Sequence, residues 1–284
     1  MYLDELDFNI TIVGLGLIGG SFAMALNKLK PKNLWAVDID EDAIKTAKSL
    51  GIIDKGYLQP EIPLKNSDIV IICLYPELTI KFINDNMNNF KSGAIITDTA
   101  GIKHKILEKI NSFLRKDLDF IGAHPMAGRE SKGIGFASKD IFNDANYIIT
   151  PTNKNKKENI EILENIIKSI GCKNIVKVSP KKHDEIIAFT SQLPHIIASA
   201  LVNSDIEENT NLFIGGSFKD ATRVANMNTQ LWLEVFIDNG KNIIEKIDIF
   251  EKSLSQIKNL IINKDIDSLE SIFEKGKLKR GEIM

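Results

Sequence analysis

Ile10-Thr-Ile-Val-Gly14-Leu-Gly16-Leu-Ile-Gly19-Gly20-Ser21 is the stretch that decides the fold. A short β-branched run meets Gly-x-Gly-x-x-Gly and passes directly into an apolar-periodic segment, Phe22 to Leu29. Strand, tight turn and helix start are therefore written in consecutive residues. The first glycine allows the sharp turn, and the second lets a pyrophosphate approach the backbone. The third lets the helix pack closely on the strand, with its N-terminus facing the anion. Gly14, Leu15, Gly16, Leu17, Ile18 and Gly19 are thus the expected phosphate cradle. About 20 residues beyond the last glycine, Leu34-Trp-Ala-Val-Asp38 reads as a second strand ending in an acid. Asp38 is placed to accept hydrogen bonds from a ribose 2′-OH, which predicts NAD rather than NADP. A glycine-rich turn in an α/β protein that binds no nucleotide would not need this context.

Working outward, a helix is expected from Glu41 to Leu50, ended by Gly51 in a left-handed position. Asp68-Ile-Val-Ile-Ile-Cys-Leu74 and Gly93-Ala-Ile-Ile-Thr97 are apolar runs of the kind buried on both faces of a parallel sheet. Helices are expected from about Glu77 to Met87 and along the face carrying Ile102, Ile106, Leu107, Ile110 and Leu114. Asp119-Phe-Ile-Gly-Ala123 is a further strand, delivering His124-Pro-Met-Ala-Gly-Arg-Glu130. Two more strands, Asn146 to Thr150 and Asn174 to Val178, flank a helix from Lys156 to Ile170 and extend the same sheet. The alternation predicts a Rossmann-type, doubly wound, mostly parallel sheet. From Ser179 onward helical periodicity runs to the C-terminus. The expected domains are therefore residues 1–178 and an all-helical 179–284. Apolar faces around 186–202 and 231–262 predict homodimerisation through the C-terminal helices.

Composition narrows the class. The 284 residues are 43% hydrophobic and 26% charged, as in an ordinary globular protein. With 36 basic and 38 acidic residues the formal net charge is -2, so no strong field draws nucleic acid or anionic lipid. Cys73 and Cys172 lie far apart, in or beside apolar runs, and read as reduced thiols of a cytoplasmic protein. The start, Met1-Tyr-Leu-Asp-Glu-Leu-Asp7, has no signal-peptide pattern. No window approaches the roughly 18 apolar residues of a membrane span, so no membrane partner is expected. No metal-ligand spacing is present either.

In an open parallel sheet, ligands bind at the carboxyl ends of the strands. That rule gathers Gly14, Asp38, Tyr75-Pro76, Asp98-Thr99 and His124 along one rim, with Asp98 on the cofactor side and Thr99 on the substrate side. A solvated His124 would titrate near pH 6.5 and suit proton exchange with a substrate hydroxyl. The alternative is a structural histidine bound to a loop carbonyl. In Thr190-Ser-Gln-Leu-Pro-His195, Pro194 predicts a kink, and His195 shares a helical face with Ser191 and Gln192. That polar strip is either a site wall or a solvent face. Gly215-Gly-Ser-Phe-Lys-Asp220-Ala-Thr-Arg223 has capping-box form at Ser217 and Asp220. Arg223 either pairs with Asp220 or clamps a carboxylate through two parallel hydrogen bonds. His104 and His183, set among lysines and acids, read as surface residues.

Taken together, the glycine loop, Asp98-Thr-Ala-Gly-Ile-Lys103, His124-Pro-Met-Ala-Gly-Arg-Glu130, Thr190–His195 and Gly215–Arg223 resemble the prephenate dehydrogenase family over nearly the whole chain. The resemblance implies a Rossmann domain followed by a helical dimerisation domain. It also implies NAD+-dependent oxidative decarboxylation of prephenate to 4-hydroxyphenylpyruvate, in tyrosine synthesis. His124 matches the family's catalytic histidine and Arg223 its carboxylate-binding arginine. His195 matches the second histidine of the pocket, and Asp220 and Trp232 match residues that line or gate it. Two positions depart from the family pattern. Gly101 stands where many members have serine, leaving that role to Thr99 or to none, and Gln192 stands where many have histidine. The readings that compete are arogenate dehydrogenase, another two-domain dehydrogenase that would use Lys103, and a nucleotide-sensing regulator without catalysis. No appended regulatory domain is expected, so any tyrosine feedback would act at the active site.

Overall fold

The computed structural model describes residues 6–129 and 131–283. The first five residues of the acidic N-terminal stretch, and Glu130 at the end of the His124 loop, lie outside the described residues. The chain forms two compact units, Met1–Asn239 and Gly240–Met284.

In the first unit, β1 (Leu6–Val13), α1 (Leu17–Asn27), β2 (Pro31–Val37), α2 (Glu41–Ser49) and β3 (Lys55–Tyr57) open the fold. They are followed by α3 (Glu61–Asn66), β4 (Ile69–Ile72), α4 (Pro76–Asp85), β5 (Ile95–Asp98), α5 (His104–Phe113) and β6 (Asp119–Pro125). Next come β7 (Asn146–Thr150), α6 (Lys157–Ser169), β8 (Asn174–Lys177), α7 (Pro180–Ile187), α8 (Leu193–Asn203), α9 (Gly216–Thr222) and α10 (Thr229–Asp238). The strands form one sheet in the order β3-β2-β1-β4-β5-β6-β7-β8. The order reverses between β1 and β4, and that switch point is where a doubly wound sheet leaves its ligand crevice.

Both faces of the sheet are covered, which is why its central strands are nearly continuous apolar runs. Ile10 and Ile12 pack with Phe22 and Leu26 of α1 and with Ile166 and Ile167 of α6. Val13, Val70, Ile72 and Ile96 pack on the opposite side with Ile83 of α4 and Ile106 and Ile110 of α5. Each such side chain contributes about 1.5–3 kcal/mol by leaving water. Gly51 takes its expected left-handed conformation at φ +65°.

Several expectations are modified. β7 and β8 extend the sheet, but β7 runs antiparallel to β6. Among its described residues the connection between them holds only short 3-10 turns, not the crossover helix that normally joins parallel neighbours. The capping box fails: α9 begins at Gly216 with Gly215 as its cap residue and no side-chain cap, and Ser217 lies inside the helix. At Pro194 the expected kink takes the form of a π-turn over Ala188–Gln192, where the Leu193 N–H donates to the Ala188 carbonyl five residues back. Widened turns of this kind often mark functional sites.

The helical run Pro180–Asn203 is, by length and composition, apolar enough to cross a membrane, which the sequence reading did not anticipate. Hydrogen bonds that His183, Asp184 and Gln192 share with His124, Lys103 and Asn239 tie this run to the rest of the first unit. The second unit is a pair of packed helices, α11 (Gly240–Asn263) and α12 (Ile266–Ile283). Ile244, Ile249, Leu254, Ile261 and Ile262 of α11 are exposed.

Candidate active site

The glycine loop has the shape its sequence requires. Gly14 has φ +90°, and a Cβ there would meet the Cys73 carbonyl oxygen at 2.7 Å. At Gly19 a Cβ would stand 1.8 Å from the Gly14 carbonyl oxygen, so only glycine lets α1 start this close to β1. Gly16 has nothing within 4 Å of such an atom, which leaves room for a pyrophosphate. It is also the cap residue of α1 and provides no side-chain cap, so the N–H groups of the first turn are available to an anion. Asp38 stands half-buried at the end of β2, its Oδ2 accepting from the Leu15 N–H at 2.5 Å and its Oδ1 from the Asp40 N–H at 2.8 Å. The carboxylate thus holds the loop against β2 and keeps lone pairs for a ribose. Asp40, Glu41 and Asp42 follow it, and this acidic run disfavours a 2′-phosphate. These residues fit NAD.

Asp98, expected among the cofactor contacts, is instead a buried anchor. Its Oδ2 pairs with the Lys103 ammonium and accepts from the Ala100 N–H, while Oδ1 accepts from the Ala123 N–H at 3.1 Å. Both side chains of the pair are fully buried. Burial pulls the Lys103 ammonium below its ordinary range, against the pull of Asp98. The pair braces the ends of β5 and β6, and Lys103 is too enclosed to serve as a catalytic lysine.

His124, near the end of β6, has a partner that no local pattern disclosed. His183 is not a surface residue: it is 1% exposed, and its Nε2 lies 3.0 Å from His124 Nδ1. On its other side His183 Nδ1 lies 2.7 Å from Asp184 Oδ1. Asp184 Oδ1 also accepts from the Lys103 N–H and Oδ2 from the His104 N–H, so both carboxylate oxygens accept from backbone N–H groups at the start of α5. Donor and acceptor roles then follow in order. The carboxylate can only accept, so His183 Nδ1 carries the proton and its Nε2 is an acceptor. His124 Nδ1 must therefore donate, which leaves His124 Nε2 as a lone pair. A Cβ at Gly101 would lie 3.8 Å from that Nε2, so the nitrogen faces the Gly101 backbone. Thr99 does not take over the serine's role, because its Oγ1 lies 3.5 Å from the Ile72 carbonyl, on the β4 side.

The environment also changes the acidity expected for a solvated ring. Burial, followed by the charges of His183 and Lys103, holds His124 well below the ordinary 6.5. Burial likewise lowers His183, outweighing the hydrogen bond it makes to Asp184. His124 is therefore neutral, and a base, at neutral pH. Both rings stay unprotonated in the folded protein while histidines of the unfolded chain take up protons below about pH 6.5. The unfolded state then binds more protons, so stability is expected to fall as the pH drops below that value. Each ring contributes a slope approaching about 1.4 kcal/mol per pH unit. Melting temperatures at pH 7.5 and 5.5 check this, and a flat profile would contradict neutral burial of the pair.

Asp184→Asn tests the relay. The amide can donate to His183 Nδ1 and so favour the opposite tautomer, turning His124 Nε2 into a donor. The expected loss in kcat is about tenfold, smaller than for carboxylates that touch the catalytic ring directly. Weakened capping of α5 would add a stability cost of about 1 kcal/mol. A kcat–pH profile separates the two effects, since only a tautomer change alters its acid limb.

The helical side of the site is built around the π-turn. His195 Nδ1 donates to the Ser191 carbonyl at 2.8 Å, and its ring stacks on Trp232 at 3.7 Å between centroids. The Phe236 ring lies 5.2 Å from Trp232 on the same helix, α10. Gln192 is not on the pocket wall. It is fully buried, and its Oε1 accepts from Asn239 Nδ2 at 2.6 Å. The same Nδ2 donates to the Asp184 carbonyl at 2.8 Å, so Gln192 and Asn239 brace the relay from behind. Arg223 and Asp220 are exposed. Arg223 starts a 3-10 turn, Arg223–Ala225, that packs on α8, the helix carrying His195.

Two family models match the chain: "Prephenate dehydrogenase, nucleotide-binding domain" over residues 22–176 and "Prephenate dehydrogenase, dimerization domain" over residues 179–275. The chain belongs to the prephenate dehydrogenase family. It is therefore an NAD-dependent oxidoreductase. It is 30% identical to the prephenate dehydrogenase of Bacillus subtilis (strain 168) over 283 residues, which is 97% of this chain and 76% of that one. Among solved structures it resembles prephenate dehydrogenase from Aquifex aeolicus in complex with hydroxyphenyl propionate and NAD+. That likeness has a TM-score of 0.89 and 31% identity, covering 97% of this chain and 98% of that chain. The arogenate dehydrogenase of Synechocystis is similar at a TM-score of 0.83 and 25% identity, covering 97% of this chain and 99% of that chain.

Proposed function

We propose that this member of the family converts prephenate to 4-hydroxyphenylpyruvate, with His124 as the general base. The observation that carries the reading is the chain from Asp184 through His183 to His124 Nδ1, which leaves His124 Nε2 as an acceptor. Prephenate carries a ring hydroxyl on the carbon that must lose hydride. His124 Nε2 takes the hydroxyl proton as that carbon is oxidised, and the relay stabilises the imidazolium that forms. NAD+, when bound, supplies the hydride acceptor. Loss of the ring carboxylate as carbon dioxide makes the ring aromatic, so the sequence is irreversible. Arg223 binds a substrate carboxylate, with Asp220 beside it at the pocket's edge. His195, held by Ser191 and stacked on Trp232, forms the pocket wall.

The functional division follows the start of α7, with residues 1–178 holding the cofactor and 179–284 serving substrate and dimer contacts. The exposed apolar residues of α11 belong to the segment matching a dimerization domain, which supports a homodimer. Two free cysteines, both pushed up to about 12 by burial, support a cytoplasmic protein with inert thiols. The likeness to an arogenate dehydrogenase favours one second reading, the same chemistry on the amino-acid analogue. NADH formation measured with prephenate or arogenate, each crossed with NAD+ or NADP+, decides between them. Fastest turnover is expected with prephenate and NAD+. Preference for arogenate would move the substrate assignment, and no turnover with either would overturn the catalytic reading.

A further inference from the structure

We propose that the Tyr75 hydroxyl is a positioning group that couples the dinucleotide to the substrate pocket. This inference rests on the prephenate reading for its substrate. Tyr75 ends the loop leaving β4, on the far side of the glycine turn. That loop presses on Gly14: the Cys73 carbonyl and the Leu74 side chain are the atoms a Cβ there would meet, at 2.7 and 3.0 Å. Residues 73–75 are therefore the wall opposite α1 along the crevice that the strand order creates.

Tyr75 is half-buried, and its hydroxyl oxygen accepts a hydrogen bond from Asn228 Nδ2. The orientation of the Asn228 amide is settled by its other bond. Its Oδ1 accepts from the Leu231 N–H, capping α10, so the NH2 group is the part that faces Tyr75. The tyrosine proton is consequently not used toward Asn228. It is left to donate into the crevice, where the ribose and phosphate oxygens of the dinucleotide are acceptors. Asn228 begins the helix whose Trp232 stacks on His195. One hydroxyl thus joins the cofactor wall to the aromatic wall of the substrate pocket.

Further polar ties of α10 meet the start of α4 and the first turn of α5. Glu234 Oε2 accepts from the Glu77 N–H at 3.3 Å, and Lys105 joins Glu77 and Asp238. They hold the helix in place when the crevice is empty. The Tyr75–Asn228 bond differs in starting from the loop that lines the crevice beside Gly14. Filling the crevice fixes the hydroxyl, and through Asn228 it fixes the first turn of α10 and the stack of Trp232 on His195. By linkage, substrate in the pocket strengthens dinucleotide binding by the same factor.

The test is binding of the product 4-hydroxyphenylpyruvate with and without saturating NADH, followed by tryptophan fluorescence in the full chain. No turnover disturbs it, because the forward reaction ends in loss of carbon dioxide. The wild type is expected to bind product at least about fivefold more tightly with NADH present, the lower end of ordinary coupling. In Tyr75→Phe, which keeps the ring, that factor is expected to fall close to one with the melting temperature unchanged. Asn228→Asp, which still caps α10 but takes the tyrosine proton away from the crevice, should lose most of the coupling as well. A wild type without coupling, or a Tyr75→Phe variant that keeps it, overturns the proposal. So does a variant that loses product affinity equally with and without NADH, since that marks a purely structural bond. Failure of the prephenate reading shows separately, as absence of product binding in the wild type.

Discussion

His124→Asn is expected to lower kcat by about 10²–10⁴, the range of a positioned general base, with little change in either KM. Asparagine occupies similar space and can still donate toward His183 Nε2, so the buried relay keeps a partner. It provides no basic nitrogen at the position of Nε2, and the ring hydroxyl of prephenate must then lose its proton to water. The pH dependence makes the expectation sharper. Burial and the neighbouring charges hold His124 well below 6.5, so wild-type kcat/KM should rise with pH through that lowered value and stay level across neutrality. The variant should lack this acid limb. Turnover near the wild-type rate would remove His124 from the chemistry, and an acid limb unchanged in the variant would assign the titration to another group.

Arg223→Ala is expected to raise KM for prephenate by about 10²-fold while leaving KM for NAD+ within about a factor of two. Hydrogen bonds to charged groups are worth about 1.5–3 kcal/mol each, and a guanidinium offers two in parallel to one carboxylate. About 2.7 kcal/mol corresponds to the stated factor. Arg223 is exposed at the start of its turn on α8, so its removal leaves no cavity. Arg223→Lys should recover only part of the loss, because an ammonium cannot reproduce the fork. Steady-state kinetics with each ligand varied in turn provide the check. Equal rises in both KM values, or a lowered melting temperature, would mean that the arginine supports the fold instead of the substrate.

Not all of the site could be read in advance. His183 sits in Lys181-Lys-His-Asp-Glu185, a charged run with every local sign of a solvated face. Its role depends on His124, 59 residues earlier in the chain, and on burial that no neighbouring residue announces. Asp98 was misplaced for the opposite reason. It stands on the ligand rim by strand order, but its carboxylate is consumed by Lys103 and two backbone N–H groups. Gln192 shows the same limit: helical spacing put it beside His195, while tertiary packing turned it to Asn239. β3 escaped notice because Lys55-Gly-Tyr57 has no apolar run, and its pairing with β2 is all that makes it a strand.

The sequence by itself determined the glycine turn between β1 and α1, the acid at the end of β2, and the alternation that builds a doubly wound sheet around an NAD site. Those features rest on short-range rules, namely sterics at φ > 0, alternation along a strand and the spacing of one βαβ unit. Only the tertiary structure decided which nitrogen of His124 keeps its lone pair free of the relay. That choice requires Asp184, His183 and His124 to meet across α7 and β6, away from water. Proton position is a property of the assembled hydrogen-bond chain and its burial, and neither has a period in the sequence.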